Sequence, residues 1–298
     1  MLVVKYRKVF FVISAVIVAL SLGAVIVFGL NFGIDFTGGA ITEVRYPDGR
    51  PDGVLVEERL KNLSIGGFSL RPTGDDSFIL RTRDLEEEER QSVISALSLN
   101  GEKQLVEERF NSIGPVIGEE LRIKAVVAIL VVAIAIVLFV AFVFRHVSEP
   151  VSSWKYGVIA IIALMHDIIV PVGVFALLGN LFGAEVNVLF VMALLAILGY
   201  SVNDTIVVFD RVRENLRINR EQKRKENFEL TVGKSLNQTY TRAINTSLTT
   251  LFVLLALFFL GAPVTRDFTL VLLTGVLAGT YSSIFLAAPL LVVWGRGK

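Results

Sequence analysis

Long apolar runs separated by short polar connections make up most of this chain, and one long polar segment interrupts them near the start. Residues 9–30 are broken only by Ser14, Ser21 and small residues, and 125–144 carry no polar side chain. Crossing roughly 30 Å of hydrocarbon takes about 20 apolar residues, so both runs are long enough to span a bilayer. Four more follow at about 156–178, 186–209, 241–261 and 268–294, apolar overall but with polar residues inside them. The pattern predicts six transmembrane helices. The first run exceeds the about 7–15 apolar residues of a cleaved signal and reads as a retained span.

The polar segment, 31–121, has other periods. Residues 40–46 alternate and end at Pro47-Asp48-Gly49, a strand followed by a turn. Residues 52–63 space Val56, Leu60 and Leu63 as a helix does. Two short runs, 68–72 and 77–82, flank Thr73-Gly74-Asp75-Asp76 as a hairpin. A second helix over 85–97 starts with Glu86 to Glu89, which suits the positive end of its dipole. Residues 104–110 alternate again. The order β-α-β-β-α-β predicts a small α+β, ferredoxin-like domain. The expected organisation is therefore 1–30 as N-terminus and span 1, 31–121 as the inserted domain, and 122–298 as spans 2 to 6.

Composition supports the membrane assignment. Of 298 residues 53% are hydrophobic and 19% charged, against about 45–50% and about 25% in soluble domains. The net charge of +1 hides an asymmetry. Residues 31–121 hold 10 Lys/Arg and 18 Asp/Glu, a net of −8, so the remaining 207 residues, with 19 and 10, carry +9. Lys5, Arg7 and Lys8 precede span 1, Arg145 and Lys155 join spans 2 and 3, and Arg296 and Lys298 end the chain. The connection 210–240 is richest, with Arg211, Arg213, Arg217, Arg220, Lys223, Arg224, Lys225 and Lys234. On the other side, the short connections between spans 3 and 4 and between spans 5 and 6 carry only Arg266. Basic connections face the cytoplasm, which puts both termini inside and residues 31–121 outside. Topology alone accounts for the basic loop 210–240, and anionic headgroups would attract it. No nucleic-acid partner is expected.

Enzyme chemistry finds no foothold. There is no cysteine, and the only histidines are His146 and His166. Gly233-Lys234-Ser235 resembles the end of a phosphate-binding loop, but Phe228 stands where that motif needs glycine. The chain is expected to be neither an enzyme nor a holder of metal or cofactor.

The informative residues lie inside the spans. Span 4 contains Gly199, Tyr200, Ser201, Asn203, Asp204 and Thr205; span 5 contains Arg242, Asn245, Thr246 and Thr249. Helical spacing puts Gly199, Asn203 and Asp204 on one face, and the four span 5 residues on another. In span 6, Gly275 and Gly279 form a small-xxx-small pair suited to close helix packing. Asp204 lies six residues before Asp210, about 9 Å inside the membrane. An intramembrane carboxylate marks an ion path by default, with a permanently paired structural aspartate as the alternative. Arg242 enters span 5 at similar depth and is its natural partner, or else an anchor for the helix end. His166 and Asp167, near the middle of span 3, either extend the polar path or hydrogen-bond to neighbouring helices. Pro171, one turn on, frees a carbonyl there.

Four motifs resemble those of the SecD/SecF protein-export family. Gly33-Ile34-Asp35-Phe36-Thr37-Gly38-Gly39 after span 1 resembles its signature, and residues 199–211 resemble the SecF version of its span 4 motif. Residues 235–250 and 279–285 resemble its span 5 and span 6 motifs. The resemblance covers the whole chain. It implies a polytopic helical protein, six spans forming an RND-type half, working beside a SecD-like half. It further implies association with the SecYEG channel, with YajC as a further candidate partner, and use of the proton gradient to draw secreted chains across the cytoplasmic (inner) membrane. Within that resemblance Asp204 and Arg242 match the family's membrane carboxylate and span 5 arginine. Thr205, Asn203, Asn245, His166 and Asp167 complete the expected proton path. Half of a small-molecule or lipid exporter of the same superfamily is the alternative. Such exporters usually hold twelve spans in one chain, which favours the first reading.

Overall fold

The computed structural model describes residues 2–145, 151–224 and 226–295. His146, Lys225, Arg296 and Lys298 lie outside the described residues. The chain forms two compact units, residues 32–125 and residues 1–31 with 126–298.

The inserted domain is a four-stranded antiparallel sheet with two helices on one face. Strands β1 (Gly39–Arg45), β2 (Ser69–Thr73), β3 (Ser77–Thr82) and β4 (Val106–Ile113) lie in the order β2-β3-β1-β4. β3 therefore sits between β1 and β2, and β1 between β3 and β4, which interlocks two split βαβ units. The helices, Gly53–Lys61 and Glu87–Leu97, cross between the members of each unit. Asp52 accepts the Val54 N–H at 3.0 Å to start the first helix, and a Glu86/Glu89 capping box starts the second. β4 begins at Val106 and runs on to Ile113, past the expected 104–110, because Asn111, Ser112 and Ile113 pair with Ile41, Ala40 and Gly39.

Val44, Val56, Leu60, Phe78, Leu80, Val93 and Leu97 form the core between sheet and helices. Tyr46 is fully buried there, stacked edge-on against Phe78, and its hydroxyl donates to the Leu97 carbonyl at 2.9 Å. Burial pushes the Tyr46 phenol up to about 12. Its folded value thus lies above the unfolded value near 10. The unfolded chain releases this proton first, so the domain is expected to lose stability as pH rises from about 10 to about 12. Alkaline denaturation of wild type against Tyr46→Phe checks this. The phenylalanine variant is weaker at neutral pH, because the Leu97 carbonyl loses its donor, but its stability should not decline further through that window.

Among the described residues six helices are long and apolar enough to cross a membrane: Arg7–Phe28, Pro115–Val143, Trp154–Phe182, Val188–Glu221, Phe228–Leu260 and Arg266–Gly295. They are spans 1 to 6 of a polytopic membrane protein. Span 6 is the most deeply buried of them, packed against spans 3, 4 and 5, and span 1 lies against span 3. Span 6 contains a π-helical turn, Ser283–Ala287. Pro289 follows it, and a wider turn relieves the clash of a proline ring with the carbonyl four residues back.

The basic segment 210–240 is not a loop. Span 4 continues as helix to Glu221 and span 5 begins at Phe228, so only six residues turn the chain. At about 1.5 Å per residue these helices measure roughly 50 Å, well beyond the hydrocarbon thickness. Polar contacts hold the two extensions together outside it. Asn215 donates to Ser235 at 2.8 Å and Gln238 at 2.9 Å, Asn219 donates to Glu226 and Thr231, and Lys234 pairs with Glu226. The apolar runs mark where the membrane ends, and the helices do not end there. The pair with Lys234 holds the Glu226 carboxyl below its ordinary range.

Candidate functional site

Spans 3, 4 and 6 meet at a buried polar junction, and its centre is Asp167. This side chain is completely buried. Its Oδ2 accepts from Ser282 of span 6 at 2.8 Å and from Ser201 of span 4, while Oδ1 lies 2.9 Å from Nδ1 of His166. One turn further along, the hydroxyls of Thr205 and Ser283 are 2.9 Å apart. Glycine makes this approach possible. A Cβ on Gly279 would stand 3.1 Å from the Ser201 Cβ, and one on Gly275 would overlap the Ile197 side chain. The Gly275–Gly279 pair of span 6 thus seats span 4. Pro171 supplies no N–H to the Asp167 carbonyl, four residues earlier.

His166 is also buried. Its ring stacks on Tyr281 of span 6, with centroids 5.9 Å apart, and its Nε2 has no hydrogen-bond partner among the described residues. The Tyr281 hydroxyl lies within hydrogen-bond distance of Ser14 and of the Phe10 carbonyl, which brings span 1 to the edge of the junction.

Asp204 lies three residues on from Ser201, on the same buried side of span 4, and is 4% exposed. The groups that act on it are Ser247 of span 5, Arg242 and Asp167. Its Oδ2 has no hydrogen-bond partner among the described residues. Ser247 in turn lies 2.6 Å from the Thr280 hydroxyl and 3.3 Å from that of Tyr200.

The expected Asp204–Arg242 pair is not formed. Ala243, Ser247 and Leu254 are the buried positions along this part of span 5, whereas Arg242, Asn245 and Thr249 lie on its exposed side. Arg242 instead borders a cleft with Val207, Asp210, Arg211, Glu214, Gln238 and Thr239. Span 4 divides in the same way. Gly199 and Asn203 are exposed while Asp204 and Thr205 are buried, so Asp204 does not share their face. Adjacent helical residues point about 100° apart, and the sequence does not say which of the two looks inward. Ser201, Ser247 and Ser282 carry contacts to the two carboxyls that sequence reasoning did not assign. Their signal was a serine at the buried spacing of an otherwise apolar helix.

In the inserted domain, Gly33, Asp35, Gly38 and Gly39 form a tight corner. A one-turn helix, Ile34–Thr37, buries Ile34 and Phe36 and ends at Gly38 with φ +73°; Gly39 follows with φ +123°. A Cβ on Gly38 would lie 2.8 Å from Pro115 Cα, and one on Gly39 2.7 Å from the Thr82 carbonyl oxygen. Both glycines are required by positive φ and by neighbouring backbone.

Comparison with known proteins agrees with these features. Residues 93–297 match the family described as protein export membrane protein SecD/SecF, C-terminal, and residues 23–46 match the SecD/SecF GG motif. Protein translocase subunit SecF of Thermobaculum terrenum is 39% identical over 308 residues, covering 98% of this chain and 93% of the relative. Protein translocase subunit SecF of Haemophilus influenzae is 35% identical, over 95% of this chain and 82% of its own length. Protein translocase subunit SecDF of Thermus thermophilus is 38% identical over 94% of this chain but only 37% of the relative. The crystal structure of SecDF from that organism, a translocon-associated membrane protein, superposes with a TM-score of 0.82 at 34% identity. It covers 98% of this chain and 38% of that one.

Proposed function

Because this chain belongs to the SecD/SecF family of protein-export membrane proteins, we propose that it is a SecF-type auxiliary subunit of Sec-dependent secretion. It works beside a SecD-like partner, uses the proton motive force, and acts by conformational change, with no bond-breaking chemistry of its own. The observation that carries the mechanism is the buried carboxyl of Asp204, set between helices and lacking a partner for Oδ2. A charge at such depth is costly, so a carboxyl of this kind favours taking up and releasing a proton as its surroundings change. The SecYEG channel, the emerging secretory chain and YajC are the further partners in this reading. The basic connections support a topology with both termini in the cytoplasm and residues 31–121 on the far side of the cytoplasmic membrane.

The SecD-like partner has a counterpart in the fused SecDF relative, most of which this chain leaves uncovered. Its docking face is the exposed side of spans 4 and 5. The Asn203 and Asn245 amides there have no hydrogen-bond partner among the described residues, and lipid tails offer none. A helix from the partner satisfies them. The chain has no cysteine, so Asn203→Cys and Asn245→Cys each introduce a single thiol. Both are expected to crosslink to the SecD-like chain in native membranes; labelling by lipid-soluble reagents alone would refute this face.

Export into inverted vesicles tests the function itself. Vesicles lacking the chain are expected to lose the gradient-dependent part of translocation and to regain it when the chain is restored. Equal export with and without it would reject the assignment.

A further inference from the structure

We propose that Asp167 is the permanently charged carboxylate of the membrane junction, a positioning residue that ties spans 3, 4 and 6 together, and that proton exchange is left to Asp204. An ionised carboxylate accepts hydrogen bonds and donates none. Asp167 has donors for that state: hydroxyls of Ser201 and Ser282 converge on Oδ2, and the His166 ring faces Oδ1 at 2.9 Å. Asp204 is placed differently, with its Oδ2 buried and unpartnered. Two carboxyls at one dry junction do not readily ionise together. Of the two, Asp167 has the fuller cradle for the charge, three donors against the single Ser247 hydroxyl at Asp204.

The ring of His166 reports which state holds. If Asp167 is ionised, Nδ1 carries the hydrogen and donates it to Oδ1, and Nε2 is a bare lone pair. If Asp167 is protonated, it donates to Nδ1, and the ring hydrogen sits on Nε2. Among the described residues Nε2 has no acceptor for that hydrogen. Orphaned buried N–H groups are rarer than under-used acceptors, so the geometry favours the first arrangement. The titratable and charged groups facing this dyad are few. Asp204 comes from span 4, Tyr281 of span 6 stacks on the His166 ring, and the charge of Arg242 of span 5 acts on Asp204. Span 1 contributes only the Ser14 hydroxyl, through Tyr281. None of these supplies a cation in contact with Asp167, so hydroxyl and imidazole donors do the holding.

This assignment leans on the proposed function only for the statement that Asp204 is the carboxyl that exchanges protons. The test does not involve export. The chain has two histidines, and His146→Gln leaves His166 as the single ring to observe by nitrogen NMR of ¹⁵N-histidine-labelled full-length protein in lipid. The expected spectrum is a neutral ring protonated at Nδ1, unchanged when Asp204→Asn is added. Ser201→Ala with Ser282→Ala removes two of the three donors, and the ring is then expected to switch to the Nε2–H form as Asp167 takes up a proton. An Nε2–H ring in the otherwise unaltered protein overturns the proposal, because Asp167 would then be the acid. A tautomer change caused by Asp204→Asn also overturns it, since the proton would be shared between the carboxyls. Retention of Nδ1–H in the double serine variant refutes the role given to the hydroxyls. If instead these spectra come out as expected while vesicle export ignores the gradient, the charge on Asp167 stands and the role of Asp204 falls.

Discussion

Asp204→Asn is expected to abolish gradient-dependent stimulation of export while leaving the chain folded and bound to its partner. The substitution preserves size and the ability to hydrogen-bond with Ser247, and it removes the one atom group that can gain and lose a proton there. Asp204 is buried and hydrogen-bonded to Ser247, so the neutral amide is tolerated where a charged replacement would not be. Loss of function therefore comes from lost titration and not from collapse of the site. The measurement is translocation in vesicles with and without a proton gradient, alongside co-purification with the SecD-like chain. Arg242→Lys keeps a charge but loses the planar fork, and partial impairment is expected. Arg242 stands on the exposed side and makes no ion pair with Asp204 among the described residues, so its influence runs through space or through a partner docked on that face. A full gradient response in Asp204→Asn would make Asp204 structural.

Gly39→Ala is expected to destabilise the inserted domain by about 2–6 kcal/mol, combining about 1–3 for the backbone conformation and about 1–3 for overpacking. The two contributions are separable. Gly39 has φ +123°, and its new Cβ would stand 2.7 Å from the Thr82 carbonyl oxygen. That oxygen cannot move aside, because Ala40 and Thr82 are register partners in the centre of the sheet. Gly49 is the control: its φ is +89°, with nothing within 4 Å of a built Cβ. Gly49→Ala should show only the conformational part. Pulse proteolysis of the full-length protein in urea, read at cleavage sites between β1 and β4, gives both values. Equal losses at the two positions would mean that close packing against β3 plays no part in the need for glycine at 39.

Much of this architecture could be read along the chain because hydrophobic runs and periods are local properties. Six spans, one inserted α+β domain and the order of its elements depend on which residues are apolar and how they are spaced. The glycine pair after span 1 stood out by its resemblance to the family signature, although which neighbours forbid a side chain there did not. The basic stretch 210–240 misled, since hydropathy marks the edge of a bilayer whereas helix continues wherever side chains can pair beyond it, as Asn215 and Asn219 do.

The polar junction was the part only tertiary structure could decide. Asp204, Asp167 and the serines are each visible as polar residues in apolar helices. Which of them meet depends on how each helix is rotated about its axis, and that rotation is fixed by packing between spans. Gly275 and Gly279 seat span 4 against span 6, which turns Ser201 toward Asp167 and leaves Asn203 outside. On span 5 the buried set Ala243, Ser247 and Leu254 turns Arg242 away. A neighbour in sequence differs by about 100° in direction, so a rotation of that size exchanges one candidate partner for another. The sequence determined which residues could carry the chemistry. The packing of small residues between helices decided which of them face each other.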